Sequence, residues 1–148
     1  MQPLAHDADS RSARPGPAFP PLSTLVTGDP AGPDILLAHG ATGSIHGNYG
    51  ELIPALVASG HRVVAPDYPG SGETPRVDGP LELDALADAL IAEATAAGLE
   101  TFTLIGFSMG TAVSVRAAAR HPERVRGIVL TAGLAKADAG QRSGWISG

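Results

Sequence analysis

The chain has 148 residues, 43% of them hydrophobic, with a mean hydropathy of +0.09 and a formal charge of −5. One folded domain with a buried core fits these values, and the acidic balance without any Lys/Arg run argues against nucleic acid or an anionic membrane as the main partner. The absence of cysteine excludes disulfide scaffolds, Cys-based zinc sites and thiol catalysis.

Residues 1–21 carry Pro3, Pro15, Pro17, Pro20 and Pro21 among small and polar residues, and are expected to form a disordered tail. They contain neither a basic start followed by an apolar h-region nor a long apolar run, so a cytoplasmic, non-membrane protein is expected. From residue 22 short apolar runs alternate with helical stretches, the pattern of a parallel sheet covered by helices. Residues 22–26 form a weak strand pattern and Gly28-Asp29-Pro30 a turn. Residues 35–38 are a strand of the kind buried on both faces, followed by His39-Gly40 and a Gly-rich loop. A helix over 49–59, a strand over 62–66 and the loop Asp67-Tyr68-Pro69-Gly70-Ser71-Gly72 come next. The clearest helix places Leu83, Leu86, Ala87, Leu90, Ile91 and Ala94 on one face and closes at Gly98. A strand over 101–105, a helix over 109–120 stopped by Pro122, and another strand of the fully buried kind over 125–132 complete a domain at 22–136. Residues 137–148 show no periodicity and are expected to be an irregular tail. The fold class is α/β, an open and mostly parallel sheet with helices on both faces.

Gly106-Phe107-Ser108-Met109-Gly110 falls between a predicted strand and a predicted helix. At such an elbow the central serine takes a strained backbone that holds its hydroxyl clear of the sheet, and side chains two residues before or after it would collide where strand and helix cross. The competing reading is a Gly-flanked turn with an ordinary N-cap serine. An anionic tetrahedral intermediate needs backbone N–H donors fixed in advance. Met109, at the helix N-terminus, and Ala41, after His39-Gly40, are the candidates, both at the C-terminal ends of parallel strands where open α/β sheets bind ligands. His39-Gly40-Ala41-Thr42-Gly43-Ser44 also reads as a phosphate-cradling loop, although neither specific nucleotide fingerprint is present.

The strand-His-Gly loop, V-V-A-P-D-Y-P-G-S-G, strand-G-F-S-M-G-helix and A-A-A-R-H-P-E-R-V-R-G-I-V-L, in this order, resemble the α/β-hydrolase superfamily over residues 22–136, in its small esterase, haloperoxidase-like and C-C hydrolase branch. The resemblance implies Ser108 as nucleophile, Met109 and Ala41 as oxyanion N–H donors, and Asp67, Gly70 and Gly72 as a structural turn. Otherwise Asp67 reads as an exposed, solvated acid. Family members deliver an acid and then a histidine after the serine. Here only Glu123, Asp138 and His121 follow it, and His121 sits at the far end of the helix that Ser108 begins, out of reach of its proton. His61 starts its strand at the opposite end, His6 is in the tail, His39 is expected to hold the loop and His46 to be a solvated loop residue.

The function expected is acyl transfer from Ser108 on an ester or similar carbonyl of a small-molecule substrate, with no cofactor. The chain is expected to be the N-terminal part of the fold, truncated, and weak or inactive alone; the alternative is a non-catalytic binding or assembly module. Because nothing after strand 125–132 reads as a neighbour for it, pairing with a second copy or a complementary fragment through this strand is expected.

Overall fold

Strands that alternate apolar residues onto both faces need a helical layer on each side, and the sequence supplies two. The computed structural model describes residues 19–132. Its elements in order are β1 (Thr24–Gly28), β2 (Asp34–Ala38), α1 (Ile45–Tyr49), α2 (Leu52–Ala58), β3 (Arg62–Pro66), α3 (Leu83–Ala96), β4 (Phe102–Phe107), α4 (Met109–Arg120) and β5 (Val125–Thr131). The sheet order is β1-β3-β2-β4-β5, with β1 antiparallel to β3 and every other pairing parallel.

Period two sorts the strand residues. Leu36, Ala38, Val64 and Leu104 meet Leu86, Leu90, Val113 and Ala117 of α3 and α4 on one face. Ile35, Leu37, Val63, Ala65 and Ile105 meet Ile45, Tyr49 and Ile53 of α1 and α2 on the other. The core also takes in Phe19, three residues ahead of the expected boundary at 22, and the chain entering β1 is fixed to α3 where Glu93 accepts from the Leu22 N–H (2.9 Å) and the Thr24 hydroxyl (2.7 Å).

Three expectations need correction. The strand expected over 22–26 lies two residues later, at Thr24–Gly28. The helix expected over 49–59 is two helices: Ser44 caps α1 by accepting from the Gly47 N–H, and Pro54 has no N–H to give the Gly50 carbonyl, so α2 starts afresh. The strand expected over 125–132 to be of the fully buried kind is half open, with Ile128, Val129 and Leu130 exposed at 37%, 47% and 46%. Among the described residues β5 pairs with β4 alone, so this is the sheet's edge. No helix among the described residues is long and apolar enough to cross a membrane.

Candidate active site

β4 runs directly into α4 through a single residue, Ser108, whose backbone sits at φ 56°, ψ −118°. That region is hostile to any residue with a Cβ and costs about 1–3 kcal/mol, so the surroundings must impose it. The flanking glycines show how. A Cβ on Gly106 would lie 2.7 Å from both the Gly110 carbonyl carbon and the Ser114 hydroxyl; one on Gly110 would lie 2.7 Å from the Ala38 carbonyl carbon and 2.9 Å from the His39 oxygen. Strand, helix and the end of β2 therefore meet at backbone contact. Buried Thr111 locks the turn, donating both its N–H (2.9 Å) and its hydroxyl (2.7 Å) to the Ser108 carbonyl, while the Ser108 N–H donates to Thr131 of β5 (3.1 Å). Ser108 carries no side-chain capping bond, unlike an ordinary N-cap serine.

The loop leaving β2 comes up against this elbow. A Cβ on Gly40 would be 3.3 Å from Ser108 Cβ. Ala41 and Thr42 form the tip of a turn closed by the Gly43 N–H on the Gly40 carbonyl (3.2 Å), and Asn48 of α1 accepts from the Gly40 N–H (2.8 Å). Tyr49 stands behind it, its hydroxyl reaching the carbonyls of Ala38 (2.9 Å) and Ile105 (3.2 Å), and burial pushes its pKa well up. Neither the Ala41 nor the Met109 N–H has a protein acceptor among the described residues. Both residues line one cavity of about 440 Å³, together with Tyr68, Gly70, Arg76 and Asp78.

His39 is fully buried and held at both ring nitrogens: Nε2 accepts from the Tyr68 N–H (3.1 Å), which leaves Nδ1 to donate to the Gly40 carbonyl (2.7 Å). Burial lowers its pKa, and its ring stacks on Tyr68 at 4.0 Å. It ties two loops together. Asp67 is buried, not solvated: its carboxylate accepts from the N–H groups of Ile45 (2.8 Å) and Glu73 (3.2 Å), and any Cβ on Gly72 would strike it. Gly70 and Gly72 both have positive φ, as the turn reading requires. His121 ends α4 and bonds Asp88 of α3 (2.8 Å), His61 reaches the Leu56 carbonyl, and exposed His46 lies in helix α1, not in a loop. No histidine hydrogen-bonds the Ser108 hydroxyl among the described residues. His6, Asp138 and the segment 137–148 lie outside the described residues.

Asn48 and Tyr49, which position the loop carrying Ala41, were not singled out by the sequence. The Ser44-to-Gly47 cap spacing was the available signal for the helix that presents them.

Residues 33–145 match the family profile described as alpha/beta hydrolase fold. The chain belongs to the alpha/beta hydrolase family. Pyrrolizixenacetamide deacetylase of Xenorhabdus hominickii is 44% identical to it over 102 residues, 69% of this chain and 38% of that protein. Pimeloyl-acyl-carrier-protein methyl ester esterase of Neisseria meningitidis is 35% identical over 107 residues, 72% of this chain and 39% of the esterase. Among solved alpha/beta hydrolases, 2-hydroxy-6-oxo-6-phenylhexa-2,4-dienoate hydrolase of a Rhodococcus species superposes with a TM-score of 0.70 at 28% identity, over 78% of this chain and 43% of that one. The chain thus spans well under half the length of these relatives.

Proposed function

We propose that this alpha/beta hydrolase chain carries the nucleophile and the oxyanion donors of a serine hydrolase acting on an ester or similar carbonyl. The observation that carries the reading is the φ of 56° at Ser108, a strain imposed by three neighbouring backbones and without purpose for a serine that makes no capping bond. The Ser108 oxygen would bond to the carbonyl carbon while negative charge moves onto the carbonyl oxygen, toward the N–H groups of Met109 and Ala41. Collapse would then expel the leaving group, which takes the proton, and water would release the acyl group. Two relatives are named as a deacetylase and as a methyl ester esterase, and both names fit a carbonyl of this kind.

His39 is unsuited as the base that moves the proton, since both its nitrogens are engaged. The described residues alone are therefore expected to acylate slowly, through positioning and the oxyanion donors. A non-catalytic binding module is the second reading, favoured by the absence of such a base among the described residues. A serine-directed fluorophosphonate separates them. Slow labelling that maps to Ser108 and disappears in Ser108→Ala supports acyl transfer; no labelling, or labelling that survives the substitution, removes it. Pairing through β5 belongs to the same reading, because the strand at Val125–Thr131 presents apolar side chains and, among the described residues, an edge without a partner strand.

A further inference from the structure

The wall of the cavity lined by Ala41 and Met109 also carries two charged residues, Arg76 and Asp78, together with the apolar Val77 and Leu81. Six arginines occur among the described residues. Four are engaged: Arg62 with Asp34, Arg116 with Asp84, Arg120 with Asp88, and Arg124 with the carbonyls of Leu99 and Glu100. Arg126 lies exposed on the edge strand β5. Arg76 makes no ion pair among the described residues, yet it faces a cavity.

Its position is fixed by the loop. Gly70, at φ 81°, donates its N–H to the carbonyls of Thr74 (3.0 Å) and Pro75 (3.1 Å), closing the segment that delivers Arg76. A Cβ on Gly70 would touch Arg76 Cα, Cβ and Cγ at 3.8–3.9 Å, so the arginine stem is laid along the cavity's own lining. We propose that this wall selects a substrate bearing a carboxylate on the portion held in the cavity, with Arg76 as the specificity-determining residue. A guanidinium presents a planar pair of N–H donors that matches a carboxylate, and Val77 and Leu81 beside it cover the methylenes leading to that group. Asp78 on the same wall opposes an anion, and so tempers the selection.

The inference deepens the acyl-transfer reading and rests on it for the molecule that enters the cavity, but its test reads binding alone. Hexanoate and its neutral counterpart hexanamide are titrated into the 148-residue chain, following the backbone amide signals of Gly70, Val77 and Met109. Hexanoate is expected to bind roughly three- to fivefold more tightly, as an exposed charge-assisted contact allows. That ratio falls to one or below in Arg76→Gln, where Asp78 remains, is partly kept in Arg76→Lys, rises in Asp78→Asn and shrinks with added salt. Equal binding of the two ligands, no saturable hexanoate binding, or a preference untouched by Arg76→Gln overturns the proposal. Absence of Ser108 labelling by a neutral phosphonate, with the carboxylate preference intact, would remove the acyl-transfer reading and leave this site in place.

Discussion

A serine held at positive φ stores strain that its neighbours must hold in place, and each part of that arrangement can be tested separately. Ser108→Ala keeps the Cβ and is expected to leave stability nearly unchanged while abolishing phosphonate labelling. Ser108→Gly removes the Cβ from a backbone region that glycine alone tolerates and is expected to stabilise the fold by about 1 kcal/mol. A urea midpoint for Ser108→Gly at or below that of Ser108→Ala would show that the elbow is relaxed. Gly110→Ala acts in the opposite direction, because its Cβ would meet the Ala38 carbonyl, which the β2–β4 pairing holds in place. Overpacking against backbone is expected to cost about 3 kcal/mol or more; an unshifted midpoint contradicts the crossing described here. His39 gives a pH signature. Its pKa is depressed in the fold by burial, so the unfolded chain binds the proton more readily, and the stability His39 contributes is present above about pH 6.5 and lost as pH falls below it. Asp84 and Asp88, lowered by their arginine partners, act only below their ordinary value of 3.8, so the two windows are separate. Urea melts between pH 7.5 and 5 should show a falling midpoint, and this fall should be diminished in His39→Asn.

Elements whose signals are local were legible from the sequence. The strand at Arg62–Pro66 and the helix at Met109–Arg120 match their expected limits, because apolar runs, Gly60 and Pro122 bound them on the spot. The elbow was legible for the same reason: Gly106, Ser108 and Gly110 need only one strand and one helix to acquire their meaning. The loop carrying Ala41 was less so. Its position depends on Asn48 and Tyr49, which act across 8 residues on Gly40 and across 56 on Ile105, and no periodicity reports bonds of that span. Asp67 was legible as part of a turn only through the family resemblance: its own surroundings in sequence read as a solvated acid, because the Ile45 N–H that it accepts from lies 22 residues away. Asn48→Ala tests how far α1 positions the loop. It leaves the Gly40 N–H without its acceptor, and about 1 kcal/mol of stability is expected to go with it. A larger, several-fold drop in the rate of Ser108 labelling should accompany that loss, with recovery in Asn48→Asp, which restores an acceptor oxygen. An Asn48→Ala chain that labels at the original rate would show that α1 only packs and does not position.

At the scale of the whole molecule the two helical layers cover the sheet unevenly. α3 and α4 close one face over Leu36, Val64 and Leu104, all fully buried, and ion pairs between Arg116, Arg120, Asp84 and Asp88 stitch those helices together at the surface. β5 is covered only in part: Val125 packs against that core, but Ile128, Val129 and Leu130 are exposed, and the strand's outer edge has no partner strand among the described residues. Soluble edges are normally protected by charge or proline, and this one carries only Arg126. The chain by itself is therefore expected to self-associate at micromolar concentration and to bind a hydrophobic dye. Val129→Lys places a charge at the centre of the exposed run, where it should cost little stability because the side chain is already half in water, and it should lower both association and dye binding. Sedimentation velocity on the two chains decides the matter. A compact, dye-silent monomer with a cooperative melt, unchanged by Val129→Lys, would mean that the edge is covered from within the same chain and that no second copy or complementary fragment is needed there.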